Sequence, residues 1–179
     1  FSKLDFNSND GMMTHVWGPS LWHSLHTMSF NYPVKPSIDD KNRYMNFIYA
    51  LEHVLPCRYC RENFKSNLKK TKFNLGKMKN RETFSKYIYD LHNHINTMLG
   101  KKNKIAFETV QSTYENFRAR CTEDKKKKKS TKKKSTKKEK GCTTPLYGVK
   151  SKCVINIVER NKKVKTFNMD PKCKAKRPK

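Results

Sequence analysis

Two thiols sit three positions apart in Pro56-Cys57-Arg58-Tyr59-Cys60. A cysteine pair at that spacing can close a small, reducible disulfide. The apolar pattern that follows, through Phe64 and Leu68, predicts a helix starting at Cys57 and running to about Lys70. A helix N-terminus, with Arg58 and Arg61 beside it, favours the thiolate, which is the reactive form of cysteine. Three readings stay open on these residues alone: a redox pair, half of a zinc site, or inert thiols. Zinc needs four ligands, usually from a second Cys or His pair at similar spacing. His53 and the scattered later cysteines make a poor second pair.

Two further clusters mix flat rings with directional polar groups. In Leu91-His92-Asn93-His94-Ile95-Asn96, His92 and Asn96 are four apart and share one helical face beside the apolar positions Leu91 and Ile95. Trp22 and His26 repeat that spacing. Taken singly, each pair reads as a solvated face or the rim of a core. Together they offer what a planar heterocyclic cofactor requires.

The elements that must position these residues read as helices. Leu21, Trp22, Leu25 and Met28 share a face after Pro19, a residue favoured in the first turn. Tyr44, Phe47, Ile48, Leu51 and Leu55 follow 3-4 spacing behind the capping candidates Asp39 and Asp40. The cleanest stripe is Phe84, Tyr87, Ile88, Leu91, Ile95 and Leu99, with Asn80 as N-cap and Gly100 as the stop. A further helix could hold Val110, Tyr114 and Phe117. No stretch before Glu123 alternates with the period of a strand. The expectation is an all-α fold.

Charge divides the chain of 179 residues, whose net charge is +26. Residues 1–120 hold 19 Lys and Arg against 10 Asp and Glu; residues 121–179 hold 22 against 5. Most of that excess lies in Lys125–Lys140, KKKKKSTKKKSTKKEK, which self-repels, has nothing to bury and is expected to be disordered. Beyond it, Cys153–Val158 and Val164–Phe167 could form the arms of a small β-hairpin, with Glu159–Lys163 as its turn. The expected organisation is an N-terminal extension (1–14), a helical domain (15–120), a Lys-rich linker (121–140) and a basic, cysteine-containing tail (141–179). No apolar run approaches the ~18 residues of a membrane-spanning helix.

At the motif level, Trp17-Gly18-Pro19-Ser20-Leu21-Trp22-His23-Ser24-Leu25-His26 resembles the opening of the Erv/ALR family of FAD-linked sulfhydryl oxidases. The likeness is greatest to the compact versions carried by large cytoplasmic DNA viruses. Tyr32-Pro33, Pro56-Cys57-Arg58-Tyr59-Cys60 with Phe64, and His92-Asn93-His94-Ile95-Asn96 followed by Leu99-Gly100-Lys101 match the family's later motifs in order. The resemblance covers roughly residues 15–118 and implies a four-helix bundle plus a short fifth helix, usually dimeric, holding FAD at the end of the bundle.

It also implies roles. Trp22 and His26 would pack on the adenine side of FAD, and Gly18 would let the backbone approach. Tyr32, His92, Asn93 and Asn96 would line the cofactor, Lys101 would meet its phosphates, and Tyr114 would stand over the adenine. A substrate dithiol would attack Cys57, and the released Cys60 thiolate would pass two electrons to the flavin and thence to O2, making H2O2. Cys142 and Cys153, flanking a Pro145/Gly148 turn, could form a second, shuttling pair, and no metal is implied. Protein dithiols are then the substrates, and the setting is a virion or host cytoplasm.

A rival reading from another class is a basic virion protein that binds nucleic acid, with the bundle as scaffold. The tail's charge suits phosphate backbones or acidic surfaces, but its only aromatics are Tyr147 and Phe167, which speaks against base stacking.

Overall fold

The computed structural model describes residues 2–102, 104–120, 141–159, 161–162, 164 and 168–174. Lys125–Lys140 and Cys121 lie outside the described residues, as does most of Val164–Phe167. The chain forms two compact units, Phe1–Phe107 and Glu108–Lys179.

The first unit is helical: α1 (Lys3–Asn7), α2 (Thr14–Asn31), α3 (Ile38–Val54), α4 (Arg58–Lys70) and α5 (Arg81–Met98), with a 3-10 turn at Leu75–Met78. The expected bundle is present, since α5 packs on α2 and α4, and α4 packs on α3. Its core joins Leu25 of α2, Ile48 and Leu51 of α3, Phe64 and Leu68 of α4, and Phe84, Ile88 and Leu91 of α5. The stripe expected on α5 is therefore its buried face. Ile88 and Leu91 have no exposed surface at all.

Local chemistry explains the helix ends. Asn80 caps α5 by accepting from the Thr83 amide, and Thr83 returns a bond to the Asn80 amide. At the other end Gly100 adopts φ +71°, its amide bonds the Thr97 carbonyl, and the Lys101 amide bonds the Asn96 carbonyl. That is a Schellman closure, and it fixes the backbone of Lys101 beside Asn96. The α3 cap is Ser37, paired with Asp40 in a capping box, rather than Asp39 or Asp40 themselves. The α2 helix begins at Thr14, five residues before the expected start, so Pro19 lies inside it. There the ring removes one ladder bond, which packing of the helix against α5 offsets.

The last residue of the first unit begins α6 (Phe107–Glu115), the rest of which belongs to the second, and Phe117 falls outside the helix expected to hold it. The only strands among the described residues are β1 (Ala119–Arg120) and β2 (Thr144–Pro145), paired antiparallel. The expected first arm of a hairpin, Cys153–Val158, is not a strand. Its apolar side chains Val154, Ile155 and Ile157 are exposed, since nothing among the described residues packs a face against them. Among the described residues no helix is long and apolar enough to cross a membrane.

Candidate active site

Cys57 and Cys60 are joined in a disulfide, with their Cα atoms 5.1 Å apart. The sequence places them there through a helix start. Pro56 ends α3's trailing loop, the Cys57 amide turns back onto the Leu55 carbonyl, and Cys57 becomes the N-cap of α4. Its Sγ accepts from the Cys60 amide at 3.2 Å. No acidic residue lies in the first turn of α4 itself, so the positive end of the helix faces the sulfurs. Cys60 is half-buried and packs against the helical core.

The two arginines serve different ends. Arg58 pairs with Asp10 at 3.3 Å. Arg61 donates to the carbonyls of Leu55 (2.7 Å) and Asn9 (3.3 Å), so its guanidinium clamps backbone rather than touching sulfur. Among the described residues no three His, Cys, Asp or Glu side chains gather as a metal would need.

The ring cluster lies where α2 meets α5. Trp22 and His92 stack with centroids 4.0 Å apart and planes 6° from parallel. His26, 4% exposed, bonds His92 through Nε2···Nδ1 at 3.0 Å. Burial, then the neighbouring His92 and His23, push the pKa of His26 down to about 3. Burial and the ammonium of Lys101 push that of His92 down to about 4. Both rings are therefore neutral at physiological pH, so one nitrogen of the shared bond donates and the other accepts. When His92 Nδ1 accepts, its Nε2 carries the hydrogen and donates at the ring's far edge.

The remaining expected residues divide. Asn96 is half-buried one turn beyond His92, and Lys101 is exposed just past it. Asn93 spends its amide on the Tyr89 carbonyl at 3.0 Å, and His94 bonds the buried Asn67 at 3.2 Å. Gly18 is buried, but a Cβ there would meet only Thr14 Cγ2 at 3.6 Å, so the helix itself does not require glycine. Tyr32 departs from expectation. It has no exposed surface, its hydroxyl donates to the Met78 carbonyl, and its ring packs on Tyr44 and Phe84, which makes it a core residue. Tyr114 belongs to the second unit, where its ring meets Phe117 edge-on.

The shuttle pair also departs from expectation. Cys142 is disulfide-bonded while Cys153 is a free, exposed thiol, so the two are not joined to each other. Cys173 is a free, half-buried thiol.

Sequence reasoning missed the segment before α2. Gly11 forms an antiparallel bridge with Cys57, and Thr14 Oγ1 lies 4.0 Å from Cys60 Sγ. The signal was the turn-forming run Asn9-Asp10-Gly11, passed over as part of an extension.

The flat stacked rings, neutral imidazoles and nearby ammonium suit a planar heterocycle bearing phosphates, which is the chemistry of FAD. Comparison with known proteins points the same way. The model of the Erv1 / Alr family matches residues 19–118. The chain is 35% identical over 101 residues to the "Probable FAD-linked sulfhydryl oxidase R368" of Acanthamoeba polyphaga mimivirus, covering 56% of this chain and 71% of that protein. It is 30% identical over 99 residues to the FAD-linked sulfhydryl oxidase of African swine fever virus, covering 55% and 80%. The yeast Erv1 core shares its fold, with a TM-score of 0.52 at 23% identity over 64% of this chain and 89% of that one. The chain belongs to the Erv1/Alr family.

Proposed function

We propose that this protein is an FAD-linked sulfhydryl oxidase, the name its viral relatives carry, and that it converts protein dithiols to disulfides with O2 as the final acceptor. The observation that carries the reading is the Cys57–Cys60 disulfide at the N-cap of α4, in a chain of this family. A substrate thiolate attacks Cys57 Sγ, the S–S bond breaks, and Cys60 leaves as a thiolate held at the helix N-terminus. The second substrate thiol then attacks the mixed disulfide, releasing Cys57 and the oxidised product. Cys57 is assigned the attacked position because it begins the helix, whereas Cys60 packs inward on the core.

Trp22, His26, His92 and Asn96 would hold FAD, with Lys101 on its phosphates and Asn93 and Gly18 supporting that wall. Bound there, FAD supplies the two-electron acceptance that restores the disulfide and the transfer to O2 that yields H2O2. The neutral imidazoles orient by hydrogen bonding without bringing a competing positive charge into the site.

The activity is assigned to residues 15–120, working on protein dithiols as a homodimer in host cytoplasm or virion. Through its charge, the Lys-rich run adds salt-sensitive, sequence-independent contact with nucleic acid or acidic surfaces. The test is purified protein given dithiothreitol. A flavin absorption band, with one H2O2 formed per disulfide, is expected. Colourless protein that consumes no oxygen would overturn the reading in favour of a basic binding protein on a helical scaffold.

A further inference from the structure

The segment ahead of α2 is fastened to the redox loop and α4 at three points and to α2 itself at a fourth. The Arg58 amide donates to the Asp10 carbonyl (2.9 Å), the Met12 amide to the Pro56 carbonyl (2.7 Å), Arg61 to the Asn9 carbonyl, and the Trp17 indole to the Met12 carbonyl (3.0 Å). Gly11 stands at the crossing. Its φ is +115°, and a Cβ there would lie 2.5 Å from the Pro56 carbonyl oxygen and 2.8 Å from Cys57 Cα. Both obstacles are backbone, so no rotamer change relieves them, and only glycine permits this closeness. Two residues after Met12, at the first position of α2, the Thr14 hydroxyl lies 4.0 Å from Cys60 Sγ.

We propose that Asp10–Thr14 is a working part of the redox centre: Gly11 locks the segment onto the Cys57 loop, and the lock holds the Thr14 hydroxyl where it donates to the Cys60 thiolate. The inference rests on the sulfhydryl oxidase reading. When substrate opens the disulfide, the leaving sulfur gains a full negative charge, and a hydroxyl donor stabilises that charge and not the intact disulfide. A donor to the charged form lowers a thiol's pKa, and a leaving thiol of lower pKa departs faster. The Cys60 amide is already committed to Cys57 Sγ, so the hydroxyl adds a donor that α4 does not supply to this sulfur. The charged groups flanking the pair, Asp10 on this strap (Asp10–Thr14) and Arg58 and Arg61 on α4, are untouched by a change at Thr14. Thr14 is thus a positioning and charge-stabilising residue, and Gly11 acts through it.

The experiment measures iodoacetamide alkylation of Cys60 against pH in the full chain carrying Cys57→Ser, with exposed Cys153 in the same sample as the internal reference. Thr14→Val keeps the shape and removes the donor. It should move the inflection to higher pH and slow Cys60 alkylation at neutral pH by about 3- to 10-fold, with the high-pH plateau unchanged. Thr14→Ser should restore the parent profile. Gly11→Ala should slow Cys60 like Thr14→Val, and the two together should slow it no further. An inflection for Thr14→Val at the parent's pH, or for Thr14→Ser at the pH of Thr14→Val, overturns the proposal. Because alkylation needs no turnover, oxygen uptake by the parent judges the oxidase reading separately.

Discussion

The two ends of the site are built by different means. The sulfur end is backbone work: an N-cap, a bridge to Gly11 and carbonyls clamped by Arg61. The ring end is side-chain work: Trp22, His26 and His92 meet only because the apolar faces of α2 and α5 are pressed together. The first holds a disulfide at a helix N-terminus, half-exposed, where thiols can reach it. The second keeps two imidazoles neutral by burying them. Exposure suits one chemistry and burial the other, and a single bundle supplies both.

The contrast predicts unequal responses to acid. Folding lowers the pKa values of His26 and His92 from 6.5 to about 3 and about 4. The unfolded chain therefore takes up protons as pH falls through 6.5, while the folded chain does not until far lower. Stability is fully present above pH 6.5 and is lost as pH drops toward 4, by on the order of 3 kcal/mol or more. Urea midpoints at pH 7 and pH 4.5 should show this, and His92→Gln should flatten the difference. An unchanged midpoint would mean the rings are not buried neutral.

Gly11→Ala strikes the sulfur end. Forcing a Cβ against Pro56 and Cys57 at positive φ should cost about 1–3 kcal/mol, read by thermal melting, with flavin retention at the ring end unchanged. Gly100→Ala strikes the far end of α5, where a Cβ meets nothing within 4 Å. Only backbone strain at φ +71° remains, about 1 kcal/mol, together with weakened flavin retention as Lys101 loses its fixed place. Asp10→Asn removes an exposed ion pair and should change stability by no more than about 0.5 kcal/mol, and less in high salt.

How much was legible in the sequence follows the same division. The whole of α5 was legible, because Asn80, the apolar stripe and Gly100 are local signals acting on adjacent backbone. So was the start of α4, where Pro56 and Cys57 fix the turn by themselves. The start of α2 was not: Pro19 looked like a first-turn residue, yet tertiary packing carries the helix back to Thr14 and leaves the proline inside. Tyr32 matched a motif, but motif spacing says nothing of burial, and the structure puts its ring in the core. The strap depended on a contact between residues 11 and 57, which no periodicity reports. Cysteine pairing in the second unit was likewise beyond reach, since spacing alone cannot choose among four thiols.

The central claim is that Cys57–Cys60 is the pair through which thiols are oxidised. Oxygen consumption by Cys60→Ser with dithiothreitol, beside the parent and at matched flavin absorbance, tests it most directly. The account predicts that the variant stays yellow and folded while oxygen uptake falls to background. Parent-level uptake by a flavin-loaded Cys60→Ser protein would contradict it.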